Sequence, residues 1–184
     1  MSEEYTLCPI QRAKADETLR VRVEDVTVDL FADEWNAQEW NFCTKENSAF
    51  VFDWETLCEK GTWLWANPRF SQLGRVVAKL RNEKVRMVLL VPFWPDKPWF
   101  TALKLMMRGS VLLKRNEAKF RKSNENEYMP AASWDTYVIR VDTTIPREAL
   151  VLQGNETRKE YNDRSYVERV NQCRGWEALS TRHE

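Results

Sequence analysis

Apolar positions along the chain fall into short continuous runs separated by one strong amphipathic stretch. Val26-Thr27-Val28-Asp29-Leu30-Phe31-Ala32 reads as a buried strand ending near an acid. Thr62-Trp63-Leu64-Trp65-Ala66 reads as another, stopped by Asn67-Pro68 because proline cannot donate to a ladder. Residues 71–83 carry Leu73, Val76, Val77 and Leu80 on one helical face, with Arg75, Lys79 and Arg81 on the other. Val85 to Val91 is apolar throughout, as expected of a strand buried on both faces. A proline-rich loop over 92–98 leads to a second amphipathic helix over 99–107, then to a short strand over 111–113. Lys114 to Tyr128 reads as a charged loop, and 135–141 as a closing strand with Tyr137, Ile139 and Val141 alternating.

Strand and helix alternate around continuous apolar strands, which predicts an α/β domain with a mostly parallel sheet and helices on both faces. Residues 33–50 read as a connection containing Trp35, Trp40 and Phe42. Residues 1–25 are polar and mixed, with a weak helical stripe from Ala13 to Arg22, and read as an N-terminal extension. The domain is expected over 26–144, followed by a C-terminal tail over 145–184. That tail is expected to be partly helical from Glu156 to Gln172, and Tyr161 and Tyr166 leave self-association open.

A length of 184 residues suits one core and is short for two. Hydrophobic residues make up 43% and charged residues 30%, the balance of a globular chain. Lys+Arg and Asp+Glu both number 28, so any nucleic-acid contact must come from a local basic patch rather than the overall field. The acidic start Met1-Ser2-Glu3-Glu4 lacks the features of a secretory signal, and no apolar run is long enough to span a bilayer. An intracellular location, cytoplasmic or nuclear, is therefore expected. Four scattered cysteines without a CxxC pair, and a single histidine at position 183, argue against a zinc site and a histidine-based dyad. Nine tryptophans suit a thick core or a site that stacks a planar ligand; five glycines leave little room for a Gly-rich phosphate loop.

The segment with the most specific chemistry is Trp63-Leu64-Trp65-Ala66-Asn67-Pro68-Arg69-Phe70. An Asn amide oxygen and the following Pro carbonyl can accept two hydrogen bonds from an exocyclic amine, and an adjacent aromatic can stack on the base. The alternative is a strand that simply stops at an Asn-Pro turn. Lys114-Arg115-Asn116-Glu117-Ala118-Lys119-Phe120-Arg121-Lys122 holds five cations and one anion around an aromatic, either a DNA-contact loop or a solvated surface loop.

Taken in order, these segments resemble the phage-type DNA adenine methyltransferases over roughly residues 26–141. The matching stretches are Val28-Asp29-Leu30-Phe31-Ala32, Asn36-Ala37, Phe42 and Thr44, Asp53-Trp54, Asn67-Pro68-Arg69-Phe70, Val88-Leu89-Leu90-Val91-Pro92, Trp99-Phe100, Lys119-Phe120 and Pro130-Ala131. Asp29-Leu30-Phe31-Ala32, Gly74-Arg75-Val76 and the 92–100 segment look closest to the methyltransferase-like domain of tyrosine-recombinase retroelements. The resemblance implies a doubly wound, Rossmann-like methyltransferase fold with S-adenosylmethionine as cofactor and DNA as partner. RNA is an alternative substrate. It places Asn67, Pro68 and Phe70 in catalysis, and Asp29, Phe31 and Asp53 at the cofactor. Arg69, Lys114, Arg115, Lys119, Arg121 and Lys122 would contact nucleic acid. No metal is implied. The family's second proline is Arg69 here, a cation that either contacts phosphate or marks an inactive module retained as a nucleic-acid-binding or protein-assembly scaffold.

Overall fold

Alternation along Trp63–Ala66 sends Leu64 and Ala66 to one side of a sheet and Trp63 and Trp65 to the other, and all four are buried. That two-sided burial sets the architecture of the computed structural model, which describes residues 5–32, 36–39, 41–44, 48–122, 125–130 and 133–145. The expected tail helix with Tyr161 and Tyr166 lies outside the described residues, as do Trp35, Trp40 and Ala131.

The strands are β1 (Tyr5–Leu7), β2 (Val26–Asp29), β3 (Asn41–Phe42), β4 (Trp63–Ala66), β5 (Arg86–Pro92), β6 (Met107–Leu113), β7 (Lys119–Lys122), β8 (Met129–Pro130) and β9 (Thr136–Asp142). The helices are α1 (Pro9–Thr18), α2 (Trp54–Leu57), α3 (Leu73–Leu80) and α4 (Pro98–Lys104). The main sheet has six strands in the order β3-β2-β4-β5-β9-β6, and a second sheet has the order β1-β7-β8. The result is an α/β fold with mixed sheets. In the main sheet β3, β2, β4 and β5 pair in parallel, whereas β9 is antiparallel to both β5 and β6. Five strands therefore point one way and β9 alone runs against them. A strand buried on both faces reads the same in either direction, so periodicity could not reveal this reversal.

On one face, Leu73, Val76, Val77 and Leu80 of α3 and Phe100 and Leu103 of α4 join Leu64, Ala66, Met87, Leu89, Val91 and Ile139 in one core. The helix expected over 71–83 is shorter, because its first turn is a 3₁₀ turn at Phe70–Gln72. On the other face lies α1. Its Arg12 guanidinium stands 4.3 Å from the Trp65 ring, and Leu19, at its C-terminal end, packs beside Gly109 of β6.

The N-terminal residues thus differ from the expected extension. β1 pairs with β7 in the register Tyr5↔Lys122, Thr6↔Arg121 and Leu7↔Phe120. The inward stripe of α1 is Arg12, Ala15, Asp16 and Leu19, all buried. Two of its four members are charged and face each other at 3.6 Å, which is why the stripe looks weak in sequence. The expected charged loop is corrected likewise: Lys119–Lys122 is strand β7, held between β1 and β8. Among the described residues, no helix is long and apolar enough to cross a membrane.

Candidate functional site

β2 leads outward to β3, whereas β4 leads to β5 on its other side. The connections leaving the carboxyl ends of β2 and β4 therefore diverge, and such a crevice is where open α/β sheets accept ligands. A cavity of about 620 Å³ opens there, within the range of small-molecule sites. Leu30, Phe31 and Ala32 after β2 form one wall, and Asn67, Pro68, Arg69 and Phe70 after β4 form the facing one. Tyr5, Phe120 and Trp134 close a third side.

Asn67 is oriented by the N-terminal strand. Its Nδ2 donates to the backbone carbonyl of Tyr5. A carbonyl can only accept, so this bond settles which way the amide points and leaves Oδ1 as the acceptor. Pro68 is buried behind it. Arg69 adopts φ −59° and ψ 145°. Proline would impose that φ, and the residue keeps the stiff extended turn of the resemblance without the ring. Phe70 lies edge-to-face with Trp94 at 5.0 Å and with Trp134 at 5.2 Å, so two large rings fix its plane.

The expected cofactor residues separate. Phe31 lines the cavity and meets Phe50 edge-on at 5.5 Å. Asp29 is only 2% exposed and turns inward. Its Oδ1 accepts from Phe31 N at 3.2 Å and its Oδ2 from Gln38 N at 2.9 Å, so it shapes the loop beside the cavity. Burial raises its carboxyl to about 6, opposed by those two amides and by Arg12. Asp53 is exposed, caps α2 by accepting from Glu55 N at 3.0 Å, and does not line the cavity. Among the described residues the cavity wall contains no carboxylate; its polar side chains include Asn36, Thr44 and Ser48.

Of the six expected nucleic-acid contacts, Arg69 alone lines the cavity. Arg115 is exposed and sits against Asp135, its backbone N–H donating to the Asp135 carboxylate at 2.9 Å. Lys114 precedes it at the end of β6. Lys119 is exposed, the Arg121 guanidinium lies 5.7 Å from the Tyr128 ring, and the Lys122 ammonium lies 6.0 Å from the Tyr5 ring. Lys122 thus approaches the cavity through Tyr5.

Sequence reasoning missed Tyr5, Phe120 and Trp134 as parts of one wall. Tyr5 meets Trp134 at 5.5 Å and Phe120 at 6.2 Å, joining residues more than a hundred positions apart. The available signal was local: a β-prone Tyr5-Thr6-Leu7 triplet just before Pro9, which opens α1. The 92–100 segment contributes at one remove, because Trp94 supports Phe70 while Phe93 and Trp99 pack against the main core. Among the described residues no group of three His, Cys, Asp or Glu side chains is placed to hold a metal. No family model matches the chain, and no curated protein matches it significantly.

Proposed function

We propose that the chain is an S-adenosylmethionine-dependent methyltransferase with a Rossmann-like, doubly wound arrangement, acting on the exocyclic amine of adenine in DNA. The observation that carries this reading is the fixed orientation of Asn67 at the crevice between β2 and β4. The cavity's volume and the aromatic wall at Phe31 suit a nucleoside-sized cofactor, with Asn36, Thr44 and Ser48 as the polar side chains beside it. When bound, that cofactor supplies an electrophilic methyl group.

Asn67 Oδ1 and the Pro68 carbonyl would each accept one N–H of the target amine, turning its lone pair away from the ring and toward the methyl carbon. Phe70, held by Trp94 and Trp134, would support the base. Arg69 would neutralise the phosphate next to the target. No strong base is needed, since the amine loses its proton to water after the new N–C bond has made it acidic.

A second reading rests on the acids. Asp29 is spent on backbone amides and Asp53 lies outside the cavity, so neither presents a carboxylate to a ribose or an amino group. That arrangement favours a module that has lost catalysis and binds nucleic acid or protein. The test is transfer of labelled methyl groups from S-adenosylmethionine to adenine-containing DNA, with RNA in parallel and Asn67→Ala as control. Methylated adenine formed by the wild type and not by the variant supports the first reading. Cofactor binding without transfer to either nucleic acid overturns the assigned reaction.

A further inference from the structure

A second cluster of cations lies at the far end of the sheet, where the parallel strands begin. Trp63 opens β4, Arg86 opens β5, and Arg140 of β9 stands opposite Val88. The Arg86 guanidinium lies 5.0 Å from the Trp63 ring and that of Arg140 lies 4.9 Å from it. Arg20, just past α1, follows Leu19, whose carbonyl accepts from Arg140 Nη1, and its charge adds to the repulsion felt by Arg140. Among the described residues the one acid close by is Asp142, 3.6 Å from Arg86 and already accepting from the backbone N–H and hydroxyl of Thr144. Among the described residues, Arg86 and Arg140 thus share this one carboxylate. Burial, with Arg86 and Arg20 adding to it and Asp142 opposing, makes the charge on Arg140 harder to hold than usual.

The backbone supplies an independent sign. Arg20 has φ 56°, and among the described residues it is the only non-glycine with positive φ. It occupies the left-handed position that closes α1, with Arg20 N bonded to Glu17 O at 3.0 Å and Val21 N to Asp16 O at 2.9 Å. Glycine is the favoured residue at that position because it lacks the Cβ that clashes there. An arginine here is locally the wrong residue for the turn, so its side chain is what the position gains. Its guanidinium is exposed and forms no ion pair among the described residues.

We propose that Arg20, Arg86 and Arg140 form a binding site for a phosphate-class oxyanion at the end of the sheet remote from the cavity. Guanidinium groups suit this ligand because their paired N–H donors match the oxygens of a phosphate. A bound oxyanion would balance the charge that Asp142 leaves uncompensated. Arg140 also donates Nη1 to the Leu19 carbonyl at 3.2 Å, tying the site to the turn that presents Arg20.

The test uses the full chain, titrated with pyrophosphate while the arginine Nε–H signals and the Trp63 indole are followed by NMR. The signals of Arg86 and Arg140 are expected to move together at low salt. Arg20→Gly should bind about fivefold more weakly yet melt at an equal or higher temperature, because it removes one cation and relieves the turn. Arg20→Lys keeps the charge but loses the paired N–H donors, so its affinity should fall between those of the wild type and Arg20→Gly. A single-stranded oligonucleotide that displaces pyrophosphate identifies the source as a nucleic-acid backbone; failure to displace it identifies a small phosphate ligand. Unmoved arginine signals, or an Arg20→Gly variant that binds as tightly as the wild type, would overturn the assignment. S-adenosylmethionine binding by Arg20→Gly should be unchanged, so the two sites fail or succeed separately.

Discussion

Asn67 donates its side-chain amide to the backbone carbonyl of Tyr5, so a residue near the start of the chain sets the geometry at the end of the central strand β4. The bond joins two sheets, since Tyr5 lies in β1 and Asn67 follows β4. Replacing Asn67 by Ala should cost about 1–2 kcal/mol, because the Tyr5 carbonyl loses its donor. Urea unfolding gives that number directly. A variant as stable as the wild type would mean that the bond contributes nothing to holding β1.

The same relationship predicts what happens when β1 is removed. A chain lacking residues 1–7 should still form the six-stranded sheet, whose strands begin at Val26, but lose order at Asn67 and around Phe120 and Trp134. Amide exchange should rise in β7 and in the turn after β4 while β5 and β9 stay protected. Unchanged protection at Phe120 would show that β7 holds its place without β1.

Arg69 already has the backbone of a proline. Arg69→Pro should therefore fold, with a stability change between zero and a gain of about 1 kcal/mol from reduced freedom in the unfolded chain. It should weaken nucleic-acid binding by removing one cation while leaving cofactor affinity alone. A fall in Tm of many degrees would refute the claim that this turn is proline-like.

Asp16 is 1% exposed, neither of its carboxylate oxygens accepts a hydrogen bond among the described residues, and burial raises its carboxyl to about 6 despite Arg12. The folded chain therefore takes up this proton at a higher pH than the unfolded chain does. Its contribution to stability is greatest below about pH 4, falls as the pH rises to about 6, and is constant above that. Asp16→Asn should be more stable than the wild type by roughly 2–3 kcal/mol near neutral pH, with the difference vanishing in acid. Equal differences at both ends would remove Asp16 as the source.

Changing Lys119, Arg121 and Lys122 together to Gln should weaken DNA binding and lower its salt slope by about 2–3, roughly one unit for each phosphate left without its cation. An unchanged slope would take β7 out of the interface.

How much of the fold and the site was legible in the sequence depended on whether the signal was local. α3 and β5 carry their burial in their own periodicity, and both were readable from single residues such as Leu73, Val76 and Leu89. The turn at Asn67-Pro68 was readable because proline ends a ladder. α1 was hidden because two of its inward positions are Arg12 and Asp16, which are buried by pairing rather than by being apolar. β7 was hidden because its partner β1 lies over a hundred residues away, and because Lys119, Arg121 and Lys122 surround one buried Phe120. At the site, the wall residues Phe31 and Phe70 could be named, whereas the inward turn of Asp29 depended on the backbone of Gln38, nine positions on. A carboxylate at a strand end looks the same in sequence whether it meets a ligand or its own loop.

The proposed function requires that the cavity between β2 and β4 hold S-adenosylmethionine, and calorimetric titration of the folded chain measures this most directly. One site with micromolar affinity is expected, weakened at least tenfold when Phe31, on the cavity wall, is changed to Ala. Absence of heat at several temperatures, from protein shown to be folded, would contradict it and leave the cavity to a different ligand.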